Sequence, residues 1–228
     1  MREAAGVDER IRQARLLYER AVFGGDAALL ADGDRELDAV EADLAVARGR
    51  FVHTRFLLRR DEDPASATAD PHELALFERA ARLYQALGDV RGEAEALFWV
   101  GCFHQVARRD NATAGPVLER SLELASLAGD KVTMSEALRH LGIAAHAAGQ
   151  LDVARQRLAE STRLRREAGL LPGVAANLIG LAYIAAAQGH SDDAAALLDE
   201  AGEIARARDA RRILQSVDEA RAELPGPG

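Results

Sequence analysis

Apolar and small residues recur along this chain at helical intervals and then repeat at a much longer one. Leu97, Val100 and Gly101 are answered by Leu138, Leu141 and Gly142, and again by Leu178, Leu181 and Ala182. A second series runs downstream of each set: Ala114, Ala154 and Ala194; Leu118, Leu158 and Leu198; Ser121, Ser161 and Ala201; Leu124, Leu164 and Ile204. Within each set the spacing of three to four residues is that of one face of an α-helix. "ERSLELASLAGD" and "AESTRLRREAGL" are one helix ending written twice, closing on Gly129 and Gly169. Each forty-residue unit therefore predicts two helices joined by a short polar turn. In the first unit the spacing between the two series is one residue longer, which we assign to a longer turn at "ARRDN".

The small positions, Gly101, Gly142 and Ala182 on the first helices and Ala114, Ala154 and Ala194 on the second, let neighbouring helices approach closely. A single pair cannot bury its own apolar stripe, so the pairs stack. This arrangement resembles the tetratricopeptide repeat (TPR) family. The residues carrying the resemblance are Leu141-Gly142, Gly149, Ala154, Leu158 and Ser161, echoed by Leu181-Ala182, Gly189, Ala194, Leu198 and Ala201. The period exceeds the usual thirty-four or so residues of that family. HEAT-type repeats share the longer period, but their proline and basic pattern is missing here. The resemblance implies an all-α fold, a right-handed superhelical solenoid of antiparallel helix pairs with about ten helices.

Upstream the pattern degenerates. "FERAARLYQALGD" (77–89) matches the second-helix ending, "ARLLYERAVFGGD" (14–26) resembles a further copy, and the stretch 34–60 between them reads as one long helix. "DEDPASATADP" (61–71) is a loop, with a helix restarting near His72. The expected organisation is a degenerate helical region over 1–91, three clear repeats over 92–208, and over 209–228 a capping helix, "ARRILQSVDEARAEL", with a frayed "PGPG" tail.

Composition sharpens this picture. Apolar residues make up 48% of the 228 but aromatics only 4%, so the core is built from Ala, Leu and Val. The formal charge of −8 opposes nucleic-acid binding, which needs a basic surface. Lys131 is the one lysine, leaving arginine, suited to bidentate carboxylate or phosphate contacts, as the main cation. No apolar run reaches the roughly 18 residues that span a bilayer, and "MREAAGVDER" lacks a signal peptide's apolar core. A cytoplasmic protein with no membrane association is expected. Cys102 is the single cysteine, so no intramolecular disulfide or multi-cysteine zinc site is expected, and an inert buried thiol is its plain reading.

No HExxH, phosphate loop, nucleophile elbow or dinucleotide fingerprint occurs. "FGGDAALL" has a glycine pair but lacks the lysine and hydroxyl of a phosphate loop. The TPR resemblance implies that first helices line a concave, ligand-binding groove. Carried onto this sequence, that surface takes Glu95, Phe98, Trp99, Cys102 and Gln105 in one unit, Glu136, Arg139, His140, Ile143 and His146 in the next, and Asn177, Ile179 and Tyr183 in the third. His53 and Arg50, on the long helix, are further candidates. Plainer readings stand beside these: Trp99 packs between pairs, His104 is a core histidine, Glu136 and His140 are helix neighbours, and "RLRRE" (163–167) is a solvated face. His140 and His146 lie about 120° apart around the helix, so one ion could not easily take both; no metal and no cofactor is expected. The resemblance implies a non-enzymatic module binding a peptide or protein segment, with Arg139 reading a carboxylate and Trp99 and Tyr183 giving apolar contacts. A small-molecule or catalytic pocket using His140, His146 and Arg139, and a self-associating scaffold, are the alternatives.

Overall fold

The computed structural model describes residues 6–63 and 67–224. The middle of the 61–71 loop and the "PGPG" tail lie outside them. Among the described residues there are ten α-helices and no strand. They are α1 (Glu9–Gly24), α2 (Leu29–Glu62), α3 (Pro71–Leu87), α4 (Val90–Cys102), α5 (Asn111–Ala128), α6 (Lys131–Ala147), α7 (Leu151–Glu167), α8 (Leu171–Ala187), α9 (Ser191–Ala207) and α10 (Arg211–Glu223). A π-helical segment, Phe103–Ala107, extends α4.

Five of the helix starts have a local cause. Asp8, Asp70, Asp89, Asp110 and Asp130 each accept a backbone N–H of the turn they precede, satisfying donors that the helix leaves without a partner. Turns close on left-handed residues, Gly88, Gly129, Gly149, Gly169 and Gly189 among them. With turns this short, consecutive packed helices run antiparallel.

The chain divides into two compact units, residues 1–108 and 109–228. In the first, α2 packs against α1 and α3, and α3 against α4. Its core includes Ala42, Ala45, Val46, Ala80, Leu83, Tyr84 and Ala96. In the second, α5 to α10 pack each against the next, and α8 also touches α6 and α10. First helices thus stand side by side there, with second helices behind them.

The repeat register is visible in burial. Ala114, Ala154 and Ala194, Leu118, Leu158 and Leu198, and Ser121, Ser161 and Ala201 are all buried. Gly142 shows why its position stays small: a Cβ there would sit 3.0 Å from Leu158 Cγ and 3.4 Å from the Ala154 carbonyl oxygen. This helix-pair repeat is the fold the TPR resemblance implies.

The extra residue of the first unit is not in its turn. From the left-handed residue to the buried alanine the count is five in both cases, Arg109 to Ala114 and Gly149 to Ala154. The surplus lies upstream, where the π-helical segment takes one more residue per turn than an α-helix.

Candidate functional sites in the two units

Two buried polar constellations stand out, one in each unit. In the first unit three helices each contribute one group. His53 of α2 meets Glu73 of α3, with Nδ1 2.7 Å from Oε1. On the other side of the imidazole, Nε2 lies 3.8 Å from Cys102 Sγ, at the end of α4. Exposures of His53, Glu73 and Cys102 are 5%, 0% and 3%. A carboxylate oxygen accepts, so Nδ1–H donates to Glu73, and Nε2 is the ring nitrogen that faces the thiol. Glu73 Oε2 and Trp99 Nε1 are buried without a hydrogen-bond partner.

Trp99 lies over this group. Its ring stacks on Phe77 at 5.4 Å between centroids and stands edge-on to His53 at 5.6 Å. Arg50 covers it, 5.2 Å from the ring centroid, and pairs with Glu95 at 3.2 Å. Gly49 makes room for Phe77: a Cβ there would meet the ring at 2.4 Å. Gln105 is buried in the π-helical segment, and Phe98 is buried as well. His53, Gln105 and Cys102 therefore lie inside this unit rather than on a surface. His104 is half-buried, with its Nδ1 enclosed and unpartnered.

In the second unit, Arg165 of α7 is the centre. Its guanidinium donates to Glu136 Oε2 at 2.6 Å, to the Gly173 carbonyl at 2.8 Å and to Asn177 Oδ1 at 3.2 Å. Arg139 donates to the same Asn177 oxygen at 2.9 Å and to the Ala176 carbonyl at 3.2 Å. Asn177 Nδ2 donates to Ser161 Oγ, and Ser161 to the Ser135 carbonyl. Burial lowers the Arg165 guanidinium's pKa from its usual value, and the Glu136 carboxylate opposes that shift. Arg165 Nε is buried without a partner.

Arg165 corrects the reading of "RLRRE" as a solvated face: Arg163 and Arg166 are exposed, but Arg165 is 3% exposed. Neither Arg165 nor Glu73 stands among the sequence-derived candidates. Three arginines within four residues look like a charged surface, and it is the packing of α7 against both α6 and α8 that turns one of them inward.

Of the remaining predicted residues, Glu136, Arg139, His140 and His146 are half-buried on α6, and Asn177 is fully buried. Tyr183 is half-buried on α8 and donates to Glu223 Oε2 of α10 at 2.8 Å; burial, with that bond, pushes its phenol up to about 12. Arg139 reaches from α6 to α8, and Tyr183 from α8 to α10. Both fasten one first helix to the next. The structure thus joins Glu136 to Asn177 through Arg165, joins Arg139 to them through the same Asn177 oxygen, and joins His53 to Trp99. Tyr183 is bonded apart from either group, at the α8–α10 junction.

A separate cleft of about 740 Å³ in the second unit, floored by Leu181, Ala185 and Leu197 and edged by Asp152, Arg155 and His190, contains none of the predicted residues. Among the described residues no group of His, Cys, Asp and Glu is arranged to hold a metal ion, and no helix is long and apolar enough to cross a membrane.

Comparison with solved structures finds repeat proteins. A Podosopora anserina structure of nearly identical TPR-like repeats, assigned to a putative kinesin light chain, is 17% identical and has a TM-score of 0.34. The match covers 94% of this chain and 96% of that one. A point-substituted form of the same protein is 16% identical over 95% and 96%, with the same TM-score. At these values the likeness carries no argument about this chain, whose fold is read from its own helices. No family model matches the sequence, and neither does any curated protein.

Proposed function

We propose that the second unit is an interaction module that binds a peptide or protein segment along its row of first helices, α6 and α8, in the cytoplasm. The observation that carries this reading is Arg139. Its guanidinium is half-buried at the α6–α8 junction and held by the Asn177 side chain and the Ala176 carbonyl. A fixed arginine loses little freedom on meeting an acidic group, and its charge favours one. Apolar side chains accompany it at helical spacing: Ile143, 37% exposed, four residues along α6, and the half-buried Ile179 and Tyr183 on α8. A segment with an acidic group beside apolar residues fits this surface.

The proposed surface is built from α6 and α8; Trp99 and His53 belong to the first unit. The test is affinity capture with three chains: wild type, Ile143→Glu and the second-helix control Val153→Glu, which alters a residue exposed on α7. The partner should be retained by wild type and the control and lost by Ile143→Glu. Equal retention by all three would remove α6 from the reading.

A further inference from the structure

Independently of that surface, we infer that Cys102 is an imidazole-activated thiol that reacts with a small hydroperoxide. The order of groups in the first unit carries the inference. Glu73 Oε1 meets His53 Nδ1 at 2.7 Å, and His53 Nε2 faces Cys102 Sγ at 3.8 Å. Carboxylate, imidazole and nucleophile stand in the sequence in which a base is oriented by one partner and takes a proton from the other. The three come from α2, α3 and α4, so this is a tertiary arrangement and not a local accident of spacing.

A second observation points to a small polar occupant. Glu73 is fully buried, and its Oε2 has no partner although it shares a carboxylate with the oxygen that holds His53. Trp99, whose ring stands against His53, has its buried Nε1–H without an acceptor. Buried polar atoms are rarely left so, and each is costly unless something small completes it. Hydrogen peroxide is little larger than water and both donates and accepts hydrogen bonds. The 3% exposure of Cys102 favours such a reagent over a bulky one. The π-helical segment begins immediately after Cys102, and such distortions concentrate at functional sites.

His53 Nε2 takes the thiol proton, and the thiolate sulfur attacks one peroxide oxygen. The S–O bond forms as the O–O bond breaks, and the departing hydroxide takes the proton from His53 and leaves as water. Sulfur is oxidised to the sulfenic acid, and the peroxide is reduced. The sequence holds one cysteine, so no second thiol of the chain converts the product to a disulfide. Glu73 acts as a positioning residue through His53.

The experiment exposes the full chain to hydrogen peroxide with a sulfenic-acid trap and measures the rate of Cys102 labelling by mass spectrometry. The native chain should react at least about tenfold faster than the same chain unfolded in guanidinium chloride, because activation depends on the assembled groups. A buried inert thiol gives the opposite order, and a native rate equal to or below the unfolded rate overturns the inference. Among folded variants, His53→Gln and Glu73→Gln should lose about tenfold or more, with Glu73→Asp, which keeps the carboxylate, recovering part of the rate. Wild-type rates in both Gln variants would also overturn it. If a variant does not fold, the native-to-unfolded comparison decides on the wild-type chain alone.

Discussion

Gly49 and Phe77 set the geometry beneath Trp99. With only 2.4 Å between a Cβ at position 49 and the Phe77 ring, Gly49→Ala forces that ring to move and disturbs its stack on Trp99. We expect a loss of about 1–3 kcal/mol, the range for overpacking a filled site, together with a change in the emission of the chain's one tryptophan; chemical denaturation and fluorescence check both. Tyr84 gives a prediction with a pH signature. Its hydroxyl donates to Asp43 Oδ1 at 2.6 Å, and burial, reinforced by that bond, raises the phenol's pKa above its ordinary value. A raised folded-state pKa means that the contribution is fully present below about pH 10, the unfolded value, and is lost as pH rises beyond it. Tyr84→Phe should cost about 1–2 kcal/mol at neutral pH, and the gap from wild type should narrow above about pH 10 in urea denaturation. The residues of interest were only partly legible in the sequence. Trp99, His53, Arg139 and Asn177 stand out by type, whereas Glu73, shortly after Pro71 at the start of α3, reads as an ordinary first-turn acid. Its burial depends on how α2 and α3 pack, which no local pattern encodes.

The helices themselves were the most legible feature, because small and large residues recur at both three-to-four and forty. Their ends were less so. The long helix expected over 34–60 runs from Leu29 to Glu62, since no breaker stands between Ala31 and Asp34 strong enough to stop it and the charged residues after Arg60 tolerate a further extension. The π-helical segment left a trace as the one-residue anomaly in spacing, but that anomaly does not say whether a helix or a turn absorbs the surplus. Arg109 belongs to the same set of turns. It has φ 55°, the left-handed conformation that Gly149 and Gly189 occupy at the equivalent places. A side chain there carries strain that glycine relieves, offset in part by glycine's greater freedom when unfolded. Arg109→Gly should therefore stabilise the chain by about 0.5–1 kcal/mol, measured as a shift in the denaturation midpoint.

At the scale of the molecule, the two units hold their cores by different means. The first sets Phe56 and Trp99 against His53 of its buried His53–Glu73 pair, with Phe77 and Phe98 packed on Trp99. The second relies on Ala, Leu and Val, with the Arg165–Asn177 network running through them. The repeat hides this division, because its first clear pair places α4 in one unit and α5 in the other. Composition pointed to an aliphatic core for the whole chain, and that describes the second unit better than the first. Binding along the second unit's first helices is tested most directly by site-specific photo-crosslinking. A photoreactive residue is placed in turn at Ile143 and Ile179 on the first helices and at Val153 on α7. One protein or peptide partner should be crosslinked from 143 and 179 and not from 153. Crosslinking from 153 alone, or equally from all three, would contradict binding along α6 and α8.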